Sequence, residues 1–361
     1  MLSDVNVRKM TIKKIVIVII TGLLCLAVLT SMILFFGTGV WIGNFKYQFD
    51  LLAKKAYFID YRGDGDDVLP DIINGFKVEK TNFTCWVGDY ECWFSSRYEG
   101  KICIQEYRGN GNLVVPNELL GVEVVGLGRI EENDEITSVY IENNPNAECW
   151  GVDVIKCQNV ESVNFEEGTK IIWTKVCNSP KLKTITFPDG VEEIHGSFAG
   201  SGFEEVYFPK TVIYANGSYF IGSNFVNNHN KDKYYVVGDN VLLFYNGPVD
   251  ERVIPEGIKY LYNYFFVDPE DKDIVEKMYF PESILGLNLD IPEKCEAYFG
   301  TNEIKGLDKC TIDGTVVAPE GSYMQKYCKD NGIKFRARTE EEETIWREKT
   351  EAAAAEITYQ D

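Results

Sequence analysis

Histidine is scarce in this sequence, which restricts the chemistry that its side chains could perform. The 361 residues include two histidines, His195 and His229. A histidine-based catalytic triad or zinc site therefore has little material. The G-x-S-x-G, H-E-x-x-H and P-loop motifs do not occur either. Acidic residues are plentiful, so hydrolysis by paired carboxylates stays open. We predict that the chain is not an enzyme and uses no cofactor or metal.

Two short motifs between residues 61 and 71 suggest a receptor or a cation as ligand. Arg62-Gly63-Asp64 is the tripeptide that integrins recognise, but the same Tyr-x-Gly turn recurs at residues 107–110, so a repeated turn accounts for it. Four aspartates could gather around calcium: Asp64, Asp66, Asp67 and Asp71. They lack the spacing and the final glutamate of an EF-hand, so we predict a solvated acidic turn.

Charge and cysteine content narrow the possible partners and pairings. The chain carries 56 acidic and 36 basic residues, a net charge of −20. Nucleic acid is excluded as a partner, because binding phosphates requires clustered lysine and arginine.

Nine of the ten cysteines lie outside the apolar N-terminal segment, an odd number that cannot pair completely within one chain. Cys85 and Cys92 are close enough in sequence to bridge a loop, but the disulfide pattern stays open.

The N-terminal segment predicts a membrane anchor. Residues 15–36 carry no charge, and as a helix they would be about 33 Å long, enough to span the hydrocarbon core of a bilayer. The basic residues that precede them are Arg8, Lys9, Lys13 and Lys14. The positive-inside rule then places residues 1–14 in the cytoplasm and the rest outside, with Trp41 and Tyr47 at the membrane interface. A cleaved signal peptide, and hence a secreted protein, is the alternative, although its apolar stretch is usually shorter.

A short repeat runs through the rest of the chain. Apolar residues recur at relative positions 0, 3 and 5 of five segments, and the first four segments start 24, 22 and 21 residues apart. The segments are 136–141, 160–165, 182–187, 203–208 and 275–280. This period is too short for an independent domain and is typical of one rung of a leucine-rich-repeat solenoid. Pro188, Pro209 and Pro281 follow the last apolar position, where a strand leaves its sheet.

The end of the array is expected to carry a cap. Tyr323 and Tyr327 lie one helical turn apart and can cover the last rung. Gly332 suits a left-handed helix end, and residues 333–335 are predicted to form a final short strand. Thr339 followed by four glutamates resembles a capping box. The acidic tail is predicted to be either a solvated helix or disordered.

Three stretches give this repeat a specific family resemblance. They are the Tyr-x-Gly turn with its Val-Ile-Pro in residues 245–261, the rung in residues 182–198 and the ending in residues 317–335. These stretches resemble BspA-type leucine-rich-repeat surface proteins, over roughly residues 56–336. The resemblance implies a bacterial cell-surface or secreted binding scaffold, often one that mediates adhesion. Cys328 stands where the terminal helix often has alanine, and the repeats are few, so the resemblance does not identify the partner.

Strand alternation predicts which side chains of the repeat could touch a ligand. If positions 0, 3 and 5 point inward, positions 2 and 4 lie on the open face. Tyrosine is favoured at interfaces because it brings a large contact area at low entropic cost. The alternative is that these tyrosines stabilise the sheet through cross-strand packing. The predicted ligand-binding residues are Tyr140, Asn164, Thr186, Glu205, Tyr207, Lys277 and Tyr279.

These patterns predict a β-rich (α+β) chain, namely a right-handed leucine-rich-repeat-like solenoid preceded by one transmembrane helix. The expected segments are a cytoplasmic N-terminus (1–14), an anchor (15–36), a juxtamembrane linker (37–55), a repeat ectodomain with its cap (56–336) and an acidic tail (337–361). We predict a single-pass cell-surface adhesion protein that binds an extracellular protein or surface glycan. The alternatives are a structural envelope protein without a soluble ligand and a cell-wall hydrolase that uses carboxylates.

Overall fold

A computed structural model of the chain describes residues 20–21, 23–26, 38–80, 82–143, 152–262 and 274–360. These described residues fall into two compact units, one within Met1–Gln105 and Glu118–Val124, and the other within Glu106–Asn117 and Val125–Asp361. The predicted cytoplasmic segment lies outside the described residues, as does most of the predicted anchor, residues 15–36. No helix among the described residues combines the length and the apolar character needed to cross a bilayer.

The first unit consists mainly of antiparallel hairpins, together with one parallel pair, β3 and β5. The strands up to residue 127 are β1 (Val40–Ile42), β2 (Phe45–Asp50), β3 (Lys55–Tyr61), β4 (Ile72–Ile73), β5 (Phe76–Glu79), β6 (Phe83–Val87), β7 (Tyr90–Ser95), β8 (Lys101–Tyr107), β9 (Gly111–Val115), β10 (Glu118–Leu119) and β11 (Val122–Leu127). One sheet has the order β1-β2-β3-β5-β4 and another β10-β11-β8-β7-β6, whereas β9 joins the repeat array.

The segment predicted as a juxtamembrane linker is folded. β1 and β2 lie within residues 37–55. Phe45 and Tyr47 are buried, because they alternate with polar residues and so share the inner face of β2. The linker prediction is therefore corrected, and so is the expected place of Tyr47 at a membrane interface.

In the second unit, successive rungs contribute strands to parallel sheets. Its further strands are β12 (Arg129–Glu131), β13 (Ile136–Ile141), β14 (Val152–Ile155), β15 (Ser162–Phe165), β16 (Ile171–Cys177), β17 (Thr184–Thr186), β18 (Glu193–Ser197), β19 (Glu205–Tyr207), β20 (Tyr234–Val237), β21 (Val241–Tyr245), β22 (Glu251–Val253), β23 (Tyr260–Leu261), β24 (Lys277–Tyr279), β25 (Gly286–Leu287), β26 (Glu296–Tyr298), β27 (Thr315–Ala318), β28 (Phe335–Ala337) and β29 (Ile357–Tyr359). The α-helices are Asn224–Asn228, Tyr323–Asn331 and Glu340–Ala353, with 3-10 turns at Ser96–Tyr98, Gly217–Phe220, Leu307–Lys309 and Ala354–Glu356.

Four sheets organise these strands. The first front sheet has the order β19-β17-β15-β13-β9, and the first back sheet has the order β12-β14-β16-β18. The second front sheet has the order β22-β24-β26-β27-β28, and the second back sheet has the order β25-β23-β21-β20-β29. Ser138, Ser162, Thr184 and Glu205 pair in sequence across the first front sheet, which gives steps of 24, 22 and 21 residues. The repeat period read from the sequence is therefore confirmed.

The inward positions of the rungs form the core. Val139, Val163, Ile185, Val206 and Met278, the position-3 residues of the five segments, are at most 5% exposed. Burying one such side chain contributes about 1.5–3 kcal/mol, so no single rung is stable alone and the stack is stable as a whole.

The cap helix and the capping box predicted from the sequence are confirmed, whereas the short strand after the helix spans Phe335–Ala337 instead of residues 333–335 and is not the final strand. The cap helix Tyr323–Asn331 ends at Gly332 with φ 70°, and β28 follows it. The C-terminal helix, Glu340–Ala353, begins with Thr339 and Glu342 in a reciprocal capping box.

The tail forms a helix, which was one of the two predicted alternatives, but one face of this helix is buried and only the remainder is solvated. Trp346 is 1% exposed and packs with Tyr279, Tyr298 and Val317 of the second front sheet. Its Nε1 donates a 2.8 Å hydrogen bond to the carbonyl oxygen of Phe280. The cause is an inward stripe of Trp346, Thr350 and Ala353 within an otherwise acidic helix.

Removing the Trp346 side chain should therefore lower the free energy of unfolding. We expect a loss of about 3–5 kcal/mol for Trp346→Ala, because it empties a fully buried site and deletes the donor to Phe280. Urea unfolding of the full chain in mild detergent, followed by circular dichroism, measures this. Ile345→Ala, at a 39% exposed position of the same helix, is the matched control and should cost less than about 1 kcal/mol. Equal losses for the two variants would contradict the placement of the helix.

Docking of the C-terminal helix should also weaken in acid. A hydrogen bond from the Arg336 guanidinium holds the pKa of Glu342 at about 2, below its ordinary value of 4.5. A carboxylate with a depressed folded-state pKa stabilises the fold above the unfolded value, and that contribution is lost as the pH falls from about 4.5 towards 2. We expect unfolding midpoints to fall over this window and Glu342→Gln to flatten the fall. Glu348→Gln, at an exposed position of the helix, should leave the pH profile unchanged, and a matching change there would contradict the assignment.

Candidate functional site

The parallel register of the first front sheet aligns four predicted site residues in one column. Tyr140 pairs with Asn164, Asn164 with Thr186, and Thr186 with Tyr207, on consecutive rungs. Val114 of β9 extends the column beyond Tyr140. Neighbouring strands lie about 4.8 Å apart, so the four side chains form a straight ladder about 15 Å long. The structure thus brings these residues together as the sequence predicted.

The column is accessible and becomes more exposed towards its last rung. Tyr140 is half-buried, Asn164 and Thr186 are exposed, and Tyr207 is 50% exposed. Each lies beside an inward residue that is almost fully buried. The prediction that position 4 faces outward is confirmed for these four rungs, whereas the binding role of the column stays a prediction.

A second column of short polar side chains runs beside the first. It consists of Asn112, Ser138, Ser162, Thr184 and Glu205. The Ser138 hydroxyl donates to Asn112 Oδ1 at 2.7 Å, so hydrogen bonds across the rungs fix the hydroxyl at this end. Thr184 and Glu205 are exposed. The two columns together present hydroxyl, amide, carboxylate and phenol groups on one face of a hydrogen-bonded parallel sheet.

Lys277 and Tyr279 belong to the second front sheet, not to the first. Lys277 is half-buried between Glu251 and Glu296 of the paired strands. Tyr279 is 2% exposed and stacks on Tyr298 with 4.7 Å between ring centroids. Burial raises the pKa of Tyr279 to about 12. The expectation that Tyr279 lies on an open face is therefore corrected.

Ion pairs hold the C-terminal helix on the second front sheet. Arg336 lies 2.9 Å from Glu296 of the sheet and 2.8 Å from Glu342 of the helix. Lys349 pairs with Glu251, and the Arg338 guanidinium stacks 4.0 Å from the centroid of the Trp346 ring. The C-terminal helix thus covers the outward face of the second front sheet, which is the face on which Lys277 and Tyr279 were predicted to bind a ligand.

An aromatic ladder on the outside of the back strands was not predicted from the sequence. His195 lies between Trp173 and Tyr214, with ring centroids 4.0 and 4.3 Å away. Tyr262 extends the stack 4.6 Å beyond Tyr214. His195 Nε2 is 2.8 Å from an oxygen of Glu193. His195 stacks on both of its neighbours and the Tyr214–Tyr262 pair is tilted, so the ladder stabilises successive rungs through ring contacts.

Some side chains of the short motifs in the first unit contact other residues of the chain, although Arg62, Asp64 and Asp66 are exposed. The Arg62 guanidinium donates to the carbonyl oxygen of Gly43 at 2.9 Å and stacks 4.6 Å from the Trp41 ring centroid. Asp67 accepts from Tyr61 at 2.7 Å, and Asp71 pairs with Lys80 at 3.0 Å. Within the described ranges, no group of three or more potential metal ligands is present.

The cysteines of the described residues are free thiols. Cys85 lies directly opposite Cys92 across the β6–β7 hairpin, as the short spacing between them suggested, and both are buried. Burial raises the pKa of Cys85 to about 12 and raises that of Cys92 further. Such thiols are inert towards nucleophilic chemistry in the folded state.

The chain is similar to several solved structures, of which three follow. A leucine-rich repeat protein from Bacteroides ovatus ATCC 8483 is 12% identical, with a TM-score of 0.27, over 82% of this chain and 67% of that one. A leucine rich cell surface protein from Faecalibacterium prausnitzii A2-165 is 13% identical, with a TM-score of 0.22, over 73% and 97%. The pneumococcal vaccine antigen PcpA is 11% identical, with a TM-score of 0.22, over 90% and 98%. No curated protein matches the chain.

A family match covers the central rungs. Residues 151–284 match the BspA type leucine rich repeat region in six copies. This range contains Asn164, Thr186 and Tyr207 of the first column. It also contains four of the five predicted rungs, all except residues 136–141. The chain therefore carries a BspA-type leucine-rich-repeat region in residues 151–284, as the motifs predicted, but over a shorter range than the expected residues 56–336.

Proposed function

We propose that the chain is a cell-surface binding protein whose first front sheet recognises an extracellular protein or a surface glycan. One observation carries this proposal, namely the difference between the two front sheets. The second front sheet is covered by the C-terminal helix, and its Tyr279 is 2% exposed. The first front sheet leaves the corresponding Tyr207 50% exposed. The chain thus covers one such face itself and presents the other to solvent.

The chemistry of the exposed columns suits recognition of a macromolecule. Tyr140 and Tyr207 stand at the two ends of a row whose middle is formed by Asn164 and Thr186. Aromatic anchors with polar neighbours are typical of binding interfaces, because they combine contact area with hydrogen bonding. The parallel ladder holds their backbones rigid, so binding orders only the side chains.

The location at the cell surface is supported by the N-terminal segment. Residues 15–36 are uncharged and long enough to span a bilayer, and basic residues precede them. This orientation would place residues 37–361 outside the cell. A resemblance to BspA-type surface proteins supports the same location.

A purely recognitive role, without catalysis, is also part of the proposal. His195 Nε2 and His229 Nδ1 each lie within 2.8 Å of a carboxylate oxygen, of Glu193 and Asp232 respectively. Both rings are stacked on aromatic neighbours. They are thus held as packing elements, which leaves carboxylate pairs as the remaining catalytic chemistry.

Truncation of both tyrosines should weaken capture without unfolding the array. We expect Tyr140→Ala combined with Tyr207→Ala to reduce the affinity at least about tenfold, or about 1.4 kcal/mol. The full chain in nanodiscs would be screened on arrays of extracellular-matrix proteins and of host and bacterial glycans. Binding would then be quantified on each positive spot.

The matched control is Ile171→Ala, which removes a 48% exposed apolar side chain from the first back sheet. This variant should bind like the unaltered chain. Unchanged affinity of the tyrosine variant would show that the first front sheet is not the binding face. If the unaltered chain binds no spot and no intact cell, the structural envelope role would replace the proposed one.

A further inference from the structure

The turn between β2 and β3 displays two leucines in water. Leu51 is 57% exposed and Leu52 is 99% exposed. Asp50 Oδ1 accepts hydrogen bonds from the backbone N–H groups of Leu52 and Ala53, at 3.0 and 2.9 Å. The turn is therefore fixed by local bonds while its apolar side chains stay uncovered. Exposed apolar clusters of this kind commonly mark a site of interaction.

A second exposed turn lies at the same end of this sheet. The backbone N–H of Lys77, on β5, donates to the carbonyl oxygen of Lys54 at 3.1 Å. Ile72, beside Lys77 on β4, is 67% exposed. Phe76 is half-buried, and its ring packs against that of Phe49 with centroids 5.0 Å apart. We call Leu51, Leu52, Ile72 and Phe76 the apolar rim.

Lysines border the apolar rim in a chain of strongly negative charge. Lys54 is exposed, and the side chain of Lys77 is 73% exposed. Lys55 and Lys77 share one carboxylate, that of Glu79, at 3.0 and 3.5 Å. The whole chain has a net charge of −20. An apolar cluster with a lysine border is complementary to an anionic lipid surface, where the lysines meet phosphates and the apolar groups meet acyl chains.

The direction of β1 brings the start of this sheet to the same side. β1 runs antiparallel to β2 with Val40 opposite Tyr47, so the chain reaches Val40 from the direction of the rim. Leu51 lies four residues beyond Tyr47, which is about 13 Å along a strand. The uncharged segment 15–36 also ends four residues before Val40. The predicted anchor therefore ends only a few residues before the point where the chain enters β1 from the side of the rim.

We propose that the apolar rim rests on the outer surface of the membrane. Leu51 and Leu52 insert at the boundary between headgroups and acyl chains, and Lys54 and Lys77 face anionic phosphates. This inference rests on the proposed membrane anchor and adds a second point of membrane contact. The rim takes the place at the interface that the sequence had assigned to Tyr47, which is fully buried.

Site-specific photocrosslinking to lipid tests this contact on the full chain. The chain would be reconstituted in nanodiscs of phosphatidylethanolamine and phosphatidylglycerol, with Leu52→p-benzoylphenylalanine as the probe. Asp64→p-benzoylphenylalanine is the matched control, because Asp64 is exposed in the turn that follows the opposite end of β3. We expect the yield of lipid adduct, measured by mass spectrometry, to be at least about tenfold higher at position 52. Leu51→Glu should lower that yield, because a carboxylate is repelled from the interface.

An alkaline wash of the same nanodiscs separates the two proposals. A chain that stays incorporated but yields equal adduct at positions 52 and 64 would overturn the rim contact and leave the anchor intact. A chain that the wash removes would overturn the anchor, and the rim contact with it. Retention together with selective adduct at position 52 supports both.

Discussion

Stacking of one rung on the next is the interaction on which the rest of this structure depends. Each rung has inward side chains that it cannot shield alone, and the parallel backbone ladder brings the next rung close enough to shield them. The same ladder sets the spacing of the outward side chains. The register that aligns the inward side chains of neighbouring strands also aligns their outward side chains. The exposed columns therefore follow from the packing of the core.

The two halves of the array use the same outward face in different ways. In the first front sheet the outward positions carry short polar groups between two tyrosines, and the face meets solvent. In the second, Tyr279 and Tyr298 form an apolar surface that needs a cover, and Trp346 supplies it. The aromatic ladder around His195 shows a third use, in which outward rings stabilise the stack by contacting one another. Side-chain identity, not the backbone, decides what each outward face does.

Local pattern in the sequence was enough to predict the rungs, their inward positions, the cap and the columned residues. It failed where a distant segment decides the environment of a residue. Nothing around Tyr279 indicates a cover, because the covering residue Trp346 lies far along the chain in a helix dominated by glutamate. The spacing of Trp346, Thr350 and Ala353 was the available signal. The place of Tyr214 in the aromatic ladder was not predicted, because the stretch that contains it departs from the repeat. The strands β1 and β2 were not predicted, because the alternation of apolar and polar residues in them is short.

The final strand has a consequence for the order in which the array folds. β29 pairs with β20, and the Gln360 side chain bonds both backbone groups of Phe208, at 3.0 and 3.4 Å. These contacts join residues more than 120 positions apart. Rungs before Phe208 can add one by one as they emerge from synthesis, since each needs mainly its predecessor. The second back sheet gains β29 only after residues 357–359 have been synthesised, so these long-range contacts form later than the contacts between neighbouring rungs.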